Sequence, residues 1–260
     1  MIAYRITQLD QTDSTNNRVK ELLAADEAEG AVVVARRQVG GYGRRGHAWE
    51  SPEGGLYCSI LLRPGARVPA GAQAELAAKV PTLSLVAGLA VRRGVCRVLA
   101  PEAAAQVKVK WPNDVLVARG GGFAKLCGIS LEGMPDGLCL GVGVNVALPA
   151  SDADADGALA CVQQLPGGAG VSVRDVAASV LDAFAEMYEA WLVQPFAAFR
   201  SEFDDVSALA GRMVSVREGA DVTEGVCAGV DEHGRLLLRQ ADGTLCAITS
   251  GEAHIERIAP

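Results

Sequence analysis

The stretch QVGGYGRRGHAW, residues 38–49, is the one around which the rest of the chain is organised. It follows an apolar, β-branched run, residues 31–35, that predicts a buried strand. Its glycines break any helical or strand pattern, so the stretch is predicted to be a loop. Arg44 and Arg45 lie within it. Backbone N–H groups and fixed positive charge in one loop are typical of a clamp for phosphate or carboxylate, but a solvated surface loop has the same composition.

The same glycines satisfy the dinucleotide-binding pattern G-x-G-x-x-G, through Gly41, Gly43 and Gly46. That pattern binds pyrophosphate only where its last glycine opens a helix. The continuation HAWESPEGG contains Pro52 and two further glycines without helical periodicity, and no Gly-Lys-Ser/Thr follows. The sequence therefore predicts neither a Rossmann turn nor a Walker loop.

Composition limits the class of protein. The chain has 260 residues, of which 50% are apolar, and a formal net charge of −7. This length suits one large domain or one domain with a small appendix. The negative charge argues against broad adhesion to nucleic acid or to an anionic membrane. The seven cysteines are scattered without a CxxC pair and the histidines lie far apart, which indicates reduced thiols and no protein metal cluster.

The first ten residues lack the apolar core of a signal peptide. The longest apolar tract, around residues 83–91, is too short to span a bilayer. We therefore expect a cytoplasmic protein with no membrane partner.

The pattern of the chain changes near Leu209. Before it, predicted strands and helices mix, and Ser172 opens one long helix through a capping box with Asp175. After it, short β runs separated by turn signals predict a small all-β barrel or hairpin module. We predict two domains, residues 1–208 and 209–260, and a mobile loop over residues 149–170, which show little periodicity.

Several polar residues stand at predicted element ends. Ser14 and Thr15 precede a helix, where capping is the simpler role and ligand binding at the helix N-terminus the alternative. Lys110 lies in an apolar strand, which favours a polar cleft over full burial, although a solvent-facing lysine fits as well. Lys125 follows a glycine-rich turn, and the residues alone do not say whether it is a catalytic cation.

Four stretches, QVGGYGRRGHAW, VKWPNDVLV, KLCGISLE and GVGVN, resemble in sequence and order the signature motifs of biotin protein ligases. DSTN near the start and the C-terminal β module extend the resemblance over nearly the whole chain. It implies an α+β fold: a mixed β-sheet with helices packed on one face, as in class II synthetases and biotin–lipoate ligases, followed by a C-terminal SH3-like β-barrel.

The resemblance also implies an enzyme. Biotin protein ligases use ATP to convert biotin into biotinyl-5′-AMP, and then transfer biotin to one lysine of a biotin carboxyl carrier protein of a biotin-dependent carboxylase. The implied ligands are biotin, ATP and Mg²⁺, the ion arriving with ATP. Joining a carboxylate to a phosphate requires cations more than a base.

The resemblance assigns residues position by position. The catalytic set is Lys125, Arg44, Lys110 and Asp114. The biotin-binding set is Ser14, Thr15, Gln38, Gly41, Arg44, Lys125 and Gly128. The nucleotide-binding set is Arg45, Trp49, Lys110, Asn113 and Asn145, with Asp114 on the same nucleotide and Mg²⁺ side. Asp114 is a hypothetical base for the incoming lysine, and holding the turn at Pro112 is its alternative role.

The chain departs from the family at Tyr42, where an arginine is common. Loss of this cation is expected to weaken retention of biotinyl-AMP. Repressor members of the family carry an N-terminal DNA-binding domain, but the segment before Ser14 is too short for a helix-turn-helix, so no DNA binding is expected. Family members are often dimers, which leaves a homodimer open.

Two other functions compete with this one. A lipoate or octanoate ligase or transferase has a related fold and a pocket lysine, but the Arg-Arg-Gly sequence in the glycine loop and the KWPND motif favour biotin. A non-catalytic module that binds biotin or carrier domains is the second alternative. Retention of Arg44, Lys110 and Lys125 argues against it, because binding alone does not require these cations.

Overall fold

The computed structural model describes residues 1–147 and 159–256. Residues 149–158 of the predicted loop lie outside them. The first sheet is built from β1 (Arg5–Thr12), β2 (Ala31–Gln38), β3 (Gly55–Leu62), β4 (Val107–Lys110), β5 (Asp114–Arg119), β6 (Gly122–Met134) and β7 (Gly137–Asn145). The helices are α1 (Thr15–Ala24), α2 (Gln73–Lys79), α3 (Leu83–Arg97), α4 (Pro101–Ala104), α5 (Val173–Val193) and α6 (Ala197–Asp205).

The first sheet is mixed, as the resemblance implies. Its seven strands lie in the order β1-β2-β3-β7-β6-β5-β4. β1 and β2 run parallel and are joined through α1, whereas the other neighbouring strands pair antiparallel. The parallel pair places the start of α1 and the end of β2 at the same edge of the sheet, since parallel strands end together.

Helices cover both faces of this sheet. On one face α3 and α5 pack over Ile60 and Leu140, within the large core. On the other face α1 packs against Val33 and Leu61, which alternate with the first set along their strands. β3 is buried along its whole length because it has a helix on either side. The expected layer of helices is thus present on one face, and α1 adds a second layer.

The two long helices of the core approach closely. Gly94 of α3 lies against α5, where a Cβ atom on this glycine would stand 2.6 Å from the Cα of Val180. α5 begins as predicted, with both hydrogen bonds of the capping box between Ser172 and Asp175 present. By length and composition the stretch Gln73–Arg97 resembles a membrane span, but half of its most apolar window is buried within the protein. We interpret it as a core helical segment.

The second sheet follows α6 and is antiparallel throughout. Its strands are β8 (Met213–Glu218), β9 (Asp221–Val230), β10 (Leu236–Arg239), β11 (Leu245–Ile248) and β12 (Glu252–Ile255). They lie in the order β11-β10-β9-β8-β12. Within the described part of the chain no ladder joins β11 to β12, so hydrogen bonding does not close the expected barrel. β12 had no clear signal in the sequence, yet it carries this sheet to the functional cleft.

Candidate active site

A cleft of about 580 Å³ opens between the glycine loop, residues 38–49, and the strands β6 and β7. The turn between β4 and β5 lines a second side, and residues 251–254 of the second sheet line a third. Every predicted site residue lines this cleft except Gly41. A side chain on Gly41 would approach the carbonyl oxygen of Trp49 to 2.6 Å, so this glycine permits the tight base of the loop.

The start of α1 supplies one wall of the cleft. Ser14 occupies the N-cap position, but its hydroxyl makes no capping hydrogen bond. Gln38 at the end of β2 instead accepts hydrogen bonds from the backbone N–H of Thr15 at 2.8 Å and from its hydroxyl at 3.1 Å. Gln38 thus satisfies the first backbone N–H of α1, and because Ser14 makes no capping bond its hydroxyl is available to the cleft.

A buried polar cluster continues from this wall and was not predicted as a unit. It consists of Thr15, Asn16, Ser59 and Ser130. Asn16 Nδ2 donates to Ser130 Oγ at 2.9 Å, and the Ser59 hydroxyl lies 2.6 Å from Asn16 Oδ1. Gly141 leaves the space that the amide and the hydroxyl occupy. Asn16 belongs to the DSTN motif, so the sequence held a signal for it. Ser59 and Ser130 lie inside apolar strands and carried none.

An apolar floor adjoins the cluster. The indole ring of Trp49 lies directly over Gly128 and Gly143, where added Cβ atoms would stand 2.8 Å from ring atoms. The indole Nε1 is buried and has no hydrogen-bond partner among the described residues. The ammonium group of Lys125 lies 5.2 Å from the ring centroid, within the range of a cation–π interaction. Trp49 therefore joins the apolar floor to the charged part of the cleft.

The charged wall is formed by the β4–β5 hairpin and β6. Asp114 at the start of β5 lies 2.8 Å from Lys125 Nζ and 3.7 Å from Lys110 Nζ. The ladder between β5 and β6 shifts register between Val115 and Leu116, and such irregularities redirect side chains near functional sites. One carboxylate thereby holds two lysines at the same wall, so this part of the cleft keeps a net positive charge.

Two predicted residues have mainly supporting contacts. Asn113 accepts a hydrogen bond from Arg44 at 3.2 Å and donates to the carbonyl oxygen of Ile129 at 2.8 Å, which joins the glycine loop to the strand wall. Asn145 donates to the backbone oxygen of Lys125 at 3.1 Å. It therefore fixes the strand from which Lys125 projects, while it also borders the cleft.

The glycine loop is folded back on itself as a short hairpin. Its backbone bonds join Trp49 to Gly41 at 2.9 Å and Gly43 to His47 at 2.8 Å. Arg44 lies on its inner side, where burial, and then the neighbouring charge of Arg45, lower the pKa of the Arg44 guanidinium. An arginine remains charged through such a shift, so the loop presents a partly desolvated cation to the cleft.

The second sheet contacts the tip of the loop. Glu252 of β12 lies 4.0 Å from Arg45 Nη1 and 3.7 Å from His47 Nε2. Arg45 has a left-handed backbone, φ 55°, which turns the chain at this tip. The contact makes the cleft a composite of both sheets, a feature that the motif positions alone did not reveal.

The chemistry of the cleft follows from its three parts. A buried group of hydroxyls and an amide at one end suits a compact ligand head with several hydrogen-bonding atoms. The indole and glycine floor suits an apolar body, and the lysines and arginines suit carboxylate and phosphate groups. These features define the class as a ligase-type site that brings an organic acid together with a nucleotide.

The chain belongs to the biotin/lipoate A/B protein ligase family, whose model matches residues 9–147. Residues 210–254 match the biotin protein ligase C-terminal domain. A curated relative, the biotin–[acetyl-CoA-carboxylase] ligase of Paracoccus denitrificans, is 34% identical over 245 residues, which cover 90% of this chain and 94% of the relative. The corresponding ligase of Mycobacterium tuberculosis is 32% identical over 95% of this chain and 89% of its own length.

Solved structures agree with this placement. The biotin protein ligase of Aquifex aeolicus in complex with biotin and ATP superposes with a TM-score of 0.78 at 28% identity, and covers 97% of this chain and 99% of its own. The Leishmania major enzyme in complex with biotinyl-5-AMP gives a TM-score of 0.64 at 26% identity, with 95% and 99% covered.

Proposed function

We propose that this protein is an ATP-dependent biotin protein ligase, which forms biotinyl-5′-AMP and transfers biotin to a lysine of a biotin carboxyl carrier protein. The observation that carries the proposal is the single cleft in which a buried polar cluster, an apolar indole floor and a cationic wall follow one another. Biotin has the same three parts in the same order: a ureido head, a thioether ring and chain, and a carboxylate. Relatives that bind biotin and ATP support the assignment.

The first half-reaction joins two anions. A carboxylate oxygen of biotin attacks the α-phosphorus of ATP, the bond to the β-phosphate oxygen breaks, and pyrophosphate leaves with the electron pair. We assign Lys125 and Arg44 to the charge that develops where the two groups meet, since both line the cleft and Lys125 lies over the Trp49 ring. Lys110 and Arg45 serve the phosphates, and fixed cations in a site shielded from water are effective in this role.

The recognition of biotin rests on the polar cluster. The polar atoms at this end of the cleft belong to three buried residues, Ser14, Thr15 and Asn16, which are 2–4% exposed. Thr15 and Asn16 are held in place by hydrogen bonds within the protein, so the cluster offers a preorganised polar surface to a ligand head with hydrogen-bonding atoms. Gln38 fixes Thr15, while Gly128 admits the indole of Trp49.

The second half-reaction moves the acyl group. The amine of the acceptor lysine attacks the carbonyl carbon of biotinyl-AMP, and AMP leaves as the amide forms. The incoming ammonium group must first lose a proton, and Asp114 is our proposed acceptor. Its present contacts, to Lys125 and Lys110, equally support a role in positioning these two cations.

Mg²⁺ fits this cleft as an ion carried by ATP. In residues 1–147 and 159–256, no group of three or more His, Cys, Asp or Glu side chains is placed to hold a metal. The cleft carboxylate Asp114 is already paired with lysines. When bound, the ion would neutralise phosphate charge, and Asn113 and Asp114 would supply oxygen ligands only if they exchanged their present contacts with Arg44 and the lysines for the ion.

A lipoate or octanoate ligase remains the second candidate by fold. Both of these acids end in apolar groups, which would make no hydrogen bonds to the polar surface that Thr15, Asn16 and Ser130 form at this end of the cleft. Sites built to hydrogen-bond a ligand reject analogues that lack the matching groups. The polar cluster therefore favours biotin over the other two acids.

The cellular location, DNA binding and oligomeric state of the enzyme remain predictions. We propose that it works in the cytoplasm, supported by buried, unbridged thiols at Cys58, Cys127 and Cys139. We also propose that it does not bind DNA, which the net charge of −7 supports. Binding to operator-like DNA at physiological salt would contradict the second proposal, and analytical ultracentrifugation would decide whether the chain forms a homodimer.

The deciding experiment is the exchange of labelled pyrophosphate into ATP with biotin, lipoate or octanoate. We expect exchange with biotin alone. Lys110→Ala should weaken it, whereas Lys108→Ala is the matched control on the same strand, because Lys108 does not line the cleft. Exchange with lipoate or octanoate instead would move the protein to the other branch of the family. Biotin binding without any exchange would establish a binding module.

A further inference from the structure

Tyr42 is the residue at which the glycine loop departs from the family, and its side chain has specific contacts. Its hydroxyl accepts a hydrogen bond from Lys20 Nζ at 2.8 Å and lies 3.2 Å from Asn17 Oδ1. The Lys20 ammonium also lies 5.3 Å from the Tyr42 ring centroid. Both partners belong to α1. The loop is thus fixed to the helix whose first turn lines the cleft.

Lys20 extends this connection to the buried polar cluster. Its ammonium group forms an ion pair with Glu132 of β6. The other carboxylate oxygen of Glu132 accepts a hydrogen bond from Asn16 Nδ2 at 2.8 Å, and Asn16 belongs to the buried polar cluster. The side chains of Lys20 and Glu132 are each 28% exposed, so the pair is shielded from most of the solvent.

We propose that Tyr42 and Lys20 are positioning residues for biotin activation: with Glu132 they form a latch that holds the glycine loop closed over the polar cluster. The inference rests on the proposed biotin ligase function. A chain of contacts runs from the loop through Lys20 and Glu132 to Asn16. Binding at the polar cluster therefore stabilises the same groups that hold the loop.

The charges of the latch fit this role. Burial lowers the pKa of Lys20, but the hydrogen bonds to Glu132 and Tyr42 outweigh it, so the pKa lies above its ordinary value. Lys20 thus stays charged wherever the enzyme is folded and active. Tyr42 replaces the cation that is common in the family by a neutral acceptor. Its attachment is to α1, through Lys20 and Asn17.

The latch has a kinetic consequence. A loop that is held by protein contacts opens slowly. Biotinyl-AMP covered by the loop is therefore also released slowly. Loss of the hydroxyl of Tyr42 removes one hydrogen bond to a charged group. Such a loss changes a rate or an equilibrium by about tenfold. The effect belongs to retention and binding of the acyl group, and the chemical step should change little.

The test compares Tyr42→Phe, Lys20→Met and the double variant. The readouts are the rate at which preformed biotinyl-AMP leaves the enzyme in a chase with unlabelled compound, the KM for biotin, and kcat of pyrophosphate exchange. We expect each single change to speed release by about tenfold and to raise the KM with kcat nearly unchanged. The double variant should be no worse than either single one, because both residues act in one latch.

The matched control is Lys79→Met. Lys79 is also a partly buried lysine over an aromatic ring, 4.9 Å from the centroid of Trp191, but it lies away from the cleft. Its replacement should leave release unchanged. Unaltered release in Tyr42→Phe, or additive effects in the double variant, would overturn the latch. If the unaltered protein shows no biotin-dependent exchange, the proposed function itself fails, so the two failures are distinguishable.

Discussion

Lys125 and Asp114 lie 2.8 Å apart on neighbouring strands, and each fixes the other at the charged wall of the cleft. The pair is largely shielded, since the Asp114 side chain is 15% exposed. The position of neither side chain follows from its own strand alone. The contact unites two motifs, VKWPNDVLV and KLCGISLE, that are separate in the sequence.

Lys125→Ala should abolish most biotin-dependent pyrophosphate exchange. Removal of one fixed cation from a developing charge typically lowers a rate by about 100-fold or more. The fold should survive, because the side chain is 33% exposed and leaves no core cavity. Exchange kinetics and thermal unfolding check both points. Near-normal turnover would refute the catalytic role.

Gly141→Ala should raise the KM for biotin by about tenfold, because an added methyl group would displace Asn16 and Ser130 from each other. Gly133→Ala is the matched control on the neighbouring strand, where an added Cβ meets nothing within 4 Å. Steady-state kinetics with varied biotin provide the measurement. Equal KM values in the two variants would show that the cluster does not bind the substrate.

Gly94→Ala should lower the free energy of unfolding by about 2 kcal/mol, since its Cβ would overlap the backbone of α5. Gly88→Ala lies in the same helix, and its Cβ would meet Ile129 and Val109 at an ordinary 3.9 Å. This second change should stabilise the protein by about 1 kcal/mol through helix propensity. Urea unfolding of both variants measures the difference. The same sign in both would contradict the packing argument.

Cys58 should resist alkylation at pH 8 although it borders the cleft. Burial raises the pKa of its thiol to about 12, so almost no thiolate is present at that pH. Cys246 in β11 is only partly buried and should react first. Mass spectrometry after treatment with iodoacetamide locates the modified residue. Rapid loss of Cys58 would indicate that the cleft wall opens.

The parts of the site that depend on local motifs could be predicted from the sequence. Lys110 and Asp114 flank one hairpin turn, so their proximity follows from a short segment. The polar cluster is different: Asn16 and Ser130 are 114 residues apart, and only the pairing of strands across the sheet brings them together. Serines inside apolar strands give no sequence signal of their own, which is why Ser59 and Ser130 were missed.

The same distinction holds for the fold. The capping box of Ser172 and Asp175 is a local signal, and α5 begins where it predicts. The placement of α1 on the opposite face of the sheet depends on β3 being apolar on both sides, and a continuous apolar run does not say which partner covers each side. The reach of β12 to the glycine loop depends on how the second sheet lies against the first, which short β runs do not encode.

The position of the Trp49 indole over its two glycines also allows ligand binding to be followed by the intrinsic fluorescence of the protein. The chain has three tryptophans, and Trp111 and Trp191 are only 2% and 0% exposed. Their indole N–H groups are hydrogen-bonded to Gly234 and Thr82. Trp111 also borders the cleft, but among the described residues only Trp49 has an indole Nε1 without a hydrogen-bond partner, and an ammonium group lies near its ring. Changes in intrinsic fluorescence on adding biotin should therefore come mainly from Trp49. Ligand affinity is then measurable on the unlabelled enzyme.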